Sequence, residues 1–120
     1  MEQMTGATKG GSSIPKSSYV LLSIQSLWSI HLVIICRSDL KTRIKNLSSS
    51  TEATGIAHVL GNKGGVTTGF VIDNTTSLAF TTCHLAARVT RLHTRQENYE
   101  EIVNGTHLPC GMAHGTQPGE

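Results

Sequence analysis

Residues 66–83 read VTTGFVI, then DNTT, then SLAFTTC. Two runs rich in β-branched and aromatic residues flank Asp73, Asn74, Thr75 and Thr76, a cluster of turn formers. This order predicts an antiparallel hairpin closed by a tight turn. In the second run Leu78, Phe80 and Thr82 alternate with Ala79, Thr81 and Cys83. Burial of Phe80 is expected to set which face of that strand points inward. A lone hairpin is marginal in water and needs a third strand or a helix to cover it. The remaining residues are therefore searched for those partners.

The stretch from Tyr19 to Cys36 is the most apolar in the chain. Ser23, Gln25, Ser26, Ser29 and His31 interrupt it and would be costly in lipid, which argues against a membrane span. It starts too late and is too broken for a signal peptide. Two buried strands or a strand pair are predicted, with IHLVIIC at 30–36 dense enough to be covered on both faces. Arg37 to Leu47 is charged and irregular, with Ile44 as its one clear anchor, and Ser48 to Thr54 reads as a polar loop. Leu92, Tyr99, Ile102 and Val103 lie at spacings that fit one helical face, and Asn104-Gly105 is a helix stop. Residues 1–18 read as a flexible low-complexity tail and residues 104–120 as a disordered one, leaving 19–103 as the folded part.

Aromatic residues make up only 4% of the chain and apolar residues 38%, so large core anchors are few and the core is expected to be incomplete. The net charge of +2 tolerates an anionic ligand without requiring one. No run of five like charges occurs, which speaks against a nucleic-acid-binding tail. Three widely spaced cysteines, Cys36, Cys83 and Cys110, do not form a disulfide framework and favour a reducing compartment. Asn46, Asn74 and Asn104 begin glycosylation-type triplets, but such triplets arise readily in a chain rich in Ser and Thr.

Several groupings have chemical potential. Gly55 to Gly65 is a glycine-rich segment with one lysine, Lys63, leading into a strand. Glycine admits close backbone approach and lysine supplies a point charge for phosphate. It is not a P-loop: Asn62 separates Gly61 from Lys63, glycine follows the lysine, and a strand comes next instead of a helix. A plain surface loop is the competing reading. His84 directly follows the strand ending at Cys83, where an imidazole can reach a cleft, although many strand-end histidines do nothing of the kind. Cys83-His84 with His107, Cys110 and His114 has zinc-like spacing, but the tail that carries the last three lacks apolar support. Arg88, Arg91 and Arg95 join Lys63 around the His84 strand end, either as an anion-binding cluster or as a solvated helix face.

Four blocks in order resemble the catalytic domain of inositol polyphosphate 5-phosphatases. TGIAHVLGNKGGV at 54–66 resembles the family's TGI-x4-GNKGGV. TTSLAFTTCHLAA at 75–87 is similar to its TS-x-x-F-V-N-S-H-L-A-A strand, and TRQENYEEI at 94–102 to its R-R-N-Q-D-Y-x-D-I helix. SIQSLWSIHLVIICR at 23–37 resembles the strand region upstream. The resemblance implies a deoxyribonuclease I-like α/β (α+β) sandwich, here a partial sheet with one hairpin and one helix. It implies Mg²⁺-dependent hydrolysis of the 5-phosphate of phosphoinositide lipids or soluble inositol phosphates. His84 then stands at the family's active-site histidine, with a hydrogen bond to the scissile phosphate or leaving oxygen. Asn62, Lys63 and Arg95 fall at substrate-binding positions, Arg95 with a structural alternative. Ile56, Val59 and Leu60 fall on a loop that faces the lipid surface, which implies a cytoplasmic protein peripheral to membranes and no nucleic-acid partner.

The sequence also departs from the family pattern. Thr82 and Cys83 replace the Asn and Ser before the histidine, and RQENY replaces R-N-Q-D-Y. The acidic metal-site strands upstream and the W-x-G-D-x-N-Y-R and P-x-W-C-D-R segments downstream have no counterpart. A partial domain is expected, with the Mg²⁺ ligands outside this chain. Two functions follow: a 5-phosphatase by family that is inactive as an isolated chain, or a non-catalytic remnant that binds phosphoinositides or protein partners.

Overall fold

The computed structural model describes residues 18–54 and 62–109. Five strands and one helix follow in order: β1 Tyr19–Leu27, β2 Ile30–Arg37, β3 Ile44–Ala53, β4 Gly64–Ile72, β5 Thr76–His84 and α1 Leu92–Gly105. A 3₁₀ turn, Ser38–Arg43, links β2 to β3, and another, Val89–Arg91, leads into α1. β1 and β2 form an antiparallel pair; β3, β4 and β5 form a three-stranded antiparallel sheet with β4 in the middle.

β4 is the organising strand. Its sequence GGVTTGFVI is buried along all but the last residue. Successive strand residues face opposite sides, and the two glycines show what lies on each. A Cβ on Gly64 would run into the Glu52 carbonyl and lie 2.8 Å from Leu27 Cδ2 at the end of β1. A Cβ on Gly65 would lie 2.7 Å from Ile102 Cγ2 of α1. The β1–β2 pair thus packs on one face of β4 and α1 on the other, at a separation that side chains at 64 and 65 would forbid. The polar residues that β4 buries are paired across the sheet: Thr68 shares a hydrogen bond with Ser49 of β3 (2.8 Å) and Thr67 with Thr81 of β5 (2.9 Å).

The predicted hairpin is present as β4 and β5. Its turn places Asp73 and Asn74 at φ 53° and 58°, and the Thr75 N–H donates to the Ile72 carbonyl at 3.0 Å. These two left-handed residues sit in a three-residue loop, since Ile72 pairs with Thr76, and Asp and Asn tolerate that conformation best after glycine. Arg43 grips the Asp73 carboxylate through Nε (2.8 Å) and Nη2 (2.5 Å), and holds it below the usual carboxylate range.

The structure corrects the sequence reading at six places. Ser48 to Thr54 is not a polar loop: through Ala53 it belongs to β3, and its Ser49 hydroxyl is a cross-strand partner for Thr68 of β4. Arg37 to Leu47 is less irregular than expected, since it divides into the 3₁₀ turn and the start of β3. IHLVIIC is covered on one face only. Ile30 is buried, whereas Val33 and Ile35 are 56% and 60% exposed, because the β1–β2 pair has a neighbour on its β4 side alone among the described residues. Phe80 does not anchor β5 by burial. It is 47% exposed and stacks on Phe70 with ring centroids 5.9 Å apart. The buried face of α1 carries Asn98 and Ile102, while Leu92, Tyr99 and Val103 are exposed. The helix runs to Gly105, and Thr106 ends it with its N–H and hydroxyl on the Ile102 carbonyl (3.0 and 2.6 Å). Residues 104–109 are thus part of the described fold, whereas 1–17 and 110–120 lie outside the described residues.

Gly65→Ala is expected to destabilise the sheet by about 1–3 kcal/mol, the usual cost of forcing a methyl into packed space. The readout is amide exchange of β4 and α1, which should quicken together. Unchanged protection would show that α1 does not close on β4 at this point.

Candidate functional site

The site is built by the last rung of the β4–β5 ladder. Gly64 pairs with His84, so Lys63 leaves β4 at the same sheet end at which His84 closes β5. His84 is therefore the final strand residue and not, as the sequence suggested, one just beyond it. Lys63 Nζ lies 2.9 Å from His84 Nε2, and His84 Nδ1 lies 2.6 Å from the Asn62 carbonyl oxygen. A carbonyl only accepts, so Nδ1 carries the proton and donates to Asn62. The Nε2 lone pair then accepts a hydrogen from the Lys63 ammonium. Imidazole and ammonium coexist here because the ring is neutral in this tautomer. The Thr54 N–H donates to the Lys63 carbonyl at 3.1 Å, which fixes the lysine backbone against the end of β3.

Asn62, Lys63 and His84, predicted separately as substrate-binding and catalytic residues, are thus brought into one hydrogen-bonded group. Asn62 takes part through its main-chain carbonyl. His84 and Asn62 are exposed and Lys63 is half-buried, so the group faces solvent, and two further N–H donors of the ammonium have no partner among the described residues. Arg95 does not join them. Its Nη1 donates to the Ala86 carbonyl (3.3 Å) and the Arg88 carbonyl (2.6 Å), which makes it a brace for the chain leaving His84. Ile56, Val59 and Leu60 lie outside the described residues.

Sequence reasoning overlooked Asn98. It is buried on α1, and its Oδ1 accepts the Ala86 N–H at 3.1 Å. Arg95 and Asn98 therefore hold both backbone groups of Ala86, two residues beyond His84. The signal was a mixed stripe, Arg95, Asn98 and Ile102, at helical spacing, which a search for apolar periodicity alone passes over.

The acidic groups do not fit a divalent metal. Asp39 and Asp73 are paired to Arg37 and Arg43, and among the described residues no three His, Cys, Asp or Glu side chains converge as a ligand set. The zinc-like spacing of Cys83, His84 and His107 likewise brings no such group together among the described residues, and Cys110 and His114 lie outside them.

A strand-end Lys–His pair thus lies on a sheet with a strand pair on one face and a helix on the other, the arrangement of a segment of an α/β sandwich. The chain belongs to the endonuclease/exonuclease/phosphatase family 2, whose profile matches residues 4–118. It is 38% identical over 85 residues to phosphatidylinositol 3,4,5-trisphosphate 5-phosphatase 2A of Danio rerio, a match covering 71% of this chain and 7% of that protein. Over 90 residues it is 33% identical to phosphatidylinositol 3,4,5-trisphosphate 5-phosphatase 1 of Homo sapiens, covering 75% of this chain and 8% of the relative. Among solved structures, the inositol polyphosphate 5-phosphatase domain of SPsynaptojanin, in complex with inositol (1,4)-bisphosphate and calcium ion, superposes with a TM-score of 0.71 at 33% identity. That match covers 82% of this chain and 28% of the solved one. The deoxyribonuclease I-like fold expected from the resemblance is thereby established in its partial form.

Asn98→Leu leaves the Ala86 N–H buried without an acceptor and is expected to cost about 1–3 kcal/mol. The His84 and Lys63 resonances should shift although neither residue touches Asn98. A stability loss with the His84 spectrum unchanged would show that the brace does not reach the site.

Proposed function

We propose that this chain supplies the Lys63–His84 phosphate contact of an inositol polyphosphate 5-phosphatase, acting on phosphoinositide lipids or soluble inositol phosphates at the cytoplasmic surface of a membrane. The single observation that carries this reading is the Lys63 Nζ–His84 Nε2 distance of 2.9 Å, between the two blocks whose sequences resemble those of 5-phosphatases. The 5-phosphatase domain of the solved neighbour and the inositol phosphate bound in its complex support the same reading. The chain spans 7–8% of the curated relatives, so the hydrolytic activity is proposed for the domain of which this segment is part.

A phosphate oxygen that reaches the strand ends takes N–H bonds from the Lys63 ammonium. Lys63 then positions charge in ground state and transition state alike. His84 has its Nδ1–H committed to Asn62, so the ring is held in orientation and only Nε2 is free to change partner. A proton at Nε2 makes His84 a second donor, and the Asn62 carbonyl stabilises the imidazolium that results. Such a donor matters most as negative charge develops on the leaving oxygen. Mg²⁺, which the family resemblance implies, would supply Lewis-acid polarisation of the phosphate when bound, and no three His, Cys, Asp or Glu side chains converge to hold it among the described residues. Taken by itself, the chain is a phosphate-binding segment, a reading favoured by its covering 28% of the solved domain.

The test is a complete 5-phosphatase domain in which residues 18–109 of this chain replace the corresponding segment. On a short-chain phosphoinositide, His84→Ala is expected to lower kcat by on the order of a hundredfold. Lys63→Ala should mainly raise KM. A chimera that folds and hydrolyses substrate with His84→Ala at unaltered kcat would remove His84 from the reaction.

A further inference from the structure

The turn between His84 and α1 exposes an apolar tip flanked by charge. Val89 is 93% exposed and lies between the exposed Arg88 and Arg91, and Leu92, 66% exposed, directly follows Arg91. The tip is held in place. The Arg88 carbonyl accepts from the Arg91 N–H (3.1 Å) and from Arg95 Nη1 (2.6 Å), and Arg88 itself sits at φ 78°. Asn98 and Arg95 secure the base of the turn at Ala86. A non-glycine residue at positive φ is costly, and the structure supports it with two hydrogen bonds to one carbonyl. The outcome is a rigid projection whose valine has almost no cover.

We propose that Arg88, Val89, Arg91 and Leu92 form a docking tip for the surface of an anionic phospholipid bilayer. Val89 and Leu92 enter the acyl boundary while the two guanidiniums stay among the headgroups, as amphipathic side chains do at an interface. Charge selects this occupant. Neither Arg88 nor Arg91 has an acidic partner among the ion pairs of the described residues. By contrast, the exposed Val33 and Ile35 on β2 are adjoined by Arg37, whose charge is spent on Asp39. Val89 follows His84 by five residues, so its Cα lies within roughly 18 Å of the His84 Cα even for a fully extended chain. Docking through the tip would therefore bring the Lys63–His84 pair close to a lipid headgroup. The proposal rests on the phosphoinositide reading for its purpose. It does not rest on it for its test.

The test is co-sedimentation of the 120-residue chain with phosphatidylcholine vesicles, with and without phosphatidylserine and containing no phosphoinositide. The wild-type chain is expected to sediment with the anionic vesicles and to be released as salt is raised. Val89→Ser with Leu92→Ser should weaken partitioning on the order of tenfold. Arg88→Gln and Arg91→Gln should each weaken it about fivefold. These are side-chain changes on exposed positions, and circular dichroism checks that the fold is retained. Val33→Ser with Ile35→Ser should leave vesicle binding unaltered. Equal binding to neutral vesicles, binding insensitive to the tip substitutions, or loss only on substitution of the β2 face would overturn the proposal. Loss of hydrolysis in the chimera with vesicle binding intact would instead count against the catalytic reading alone.

Discussion

The closure of two layers on β4 is the constraint on which the rest of the structure depends. Gly64 lets the end of β1 reach the sheet on one face, and Gly65 lets Ile102 of α1 reach it on the other. Both glycines directly follow Lys63. The residue pair that allows close packing is therefore also the pair that fixes where the lysine emerges. The Gly64–His84 rung then aligns the end of β5 with it. Packing and site share one short segment, and a side chain added at either glycine disturbs both.

The polar groups extend this coupling to α1. Asn98 and Arg95 reach across to Ala86 and Arg88, so the helix that covers β4 also holds the chain beyond His84. One end of this connection is the Lys63–His84 group. The other is the Val89 tip, positioned by the same hydrogen bonds. A buried amide–side-chain contact of this kind is costly to break, which gives the turn its definition despite its exposure.

Much of this was legible in the sequence. The β4–β5 hairpin followed from its β-branched runs and from Asp73-Asn74, because the turn demands residues that tolerate positive φ. The grouping of Asn62, Lys63 and His84 followed from the resemblance of two separate blocks to one family, not from spacing. What was missed has physical causes. The centre of β3 is the run Ser48 to Thr51, with the Ser49 hydroxyl paired across the sheet to Thr68, so hydrophobic periodicity has nothing to detect there. Phe80 and the outer face of β2 were expected to be buried because their residues are apolar, yet burial depends on a covering layer that a local pattern does not contain. Asn98 is a buried polar residue on a helix face otherwise defined by Ile102, and apolar counting excludes it by construction.

The central claim is that Lys63 and His84 form one anion-binding group, with the imidazole proton on Nδ1 and Nε2 facing the ligand. The most direct measurement is long-range ¹⁵N–¹H correlation of the His84 ring in the 120-residue chain during titration with inositol (1,4,5)-trisphosphate. Before ligand, the account predicts the Nδ1–H tautomer. On titration it predicts a shift at Nε2 together with the Lys63 ammonium signal, and loss of both responses in Lys63→Ala. An Nε2–H tautomer in the free chain, or ligand-induced shifts that leave His84 and Lys63 unmoved, would contradict it.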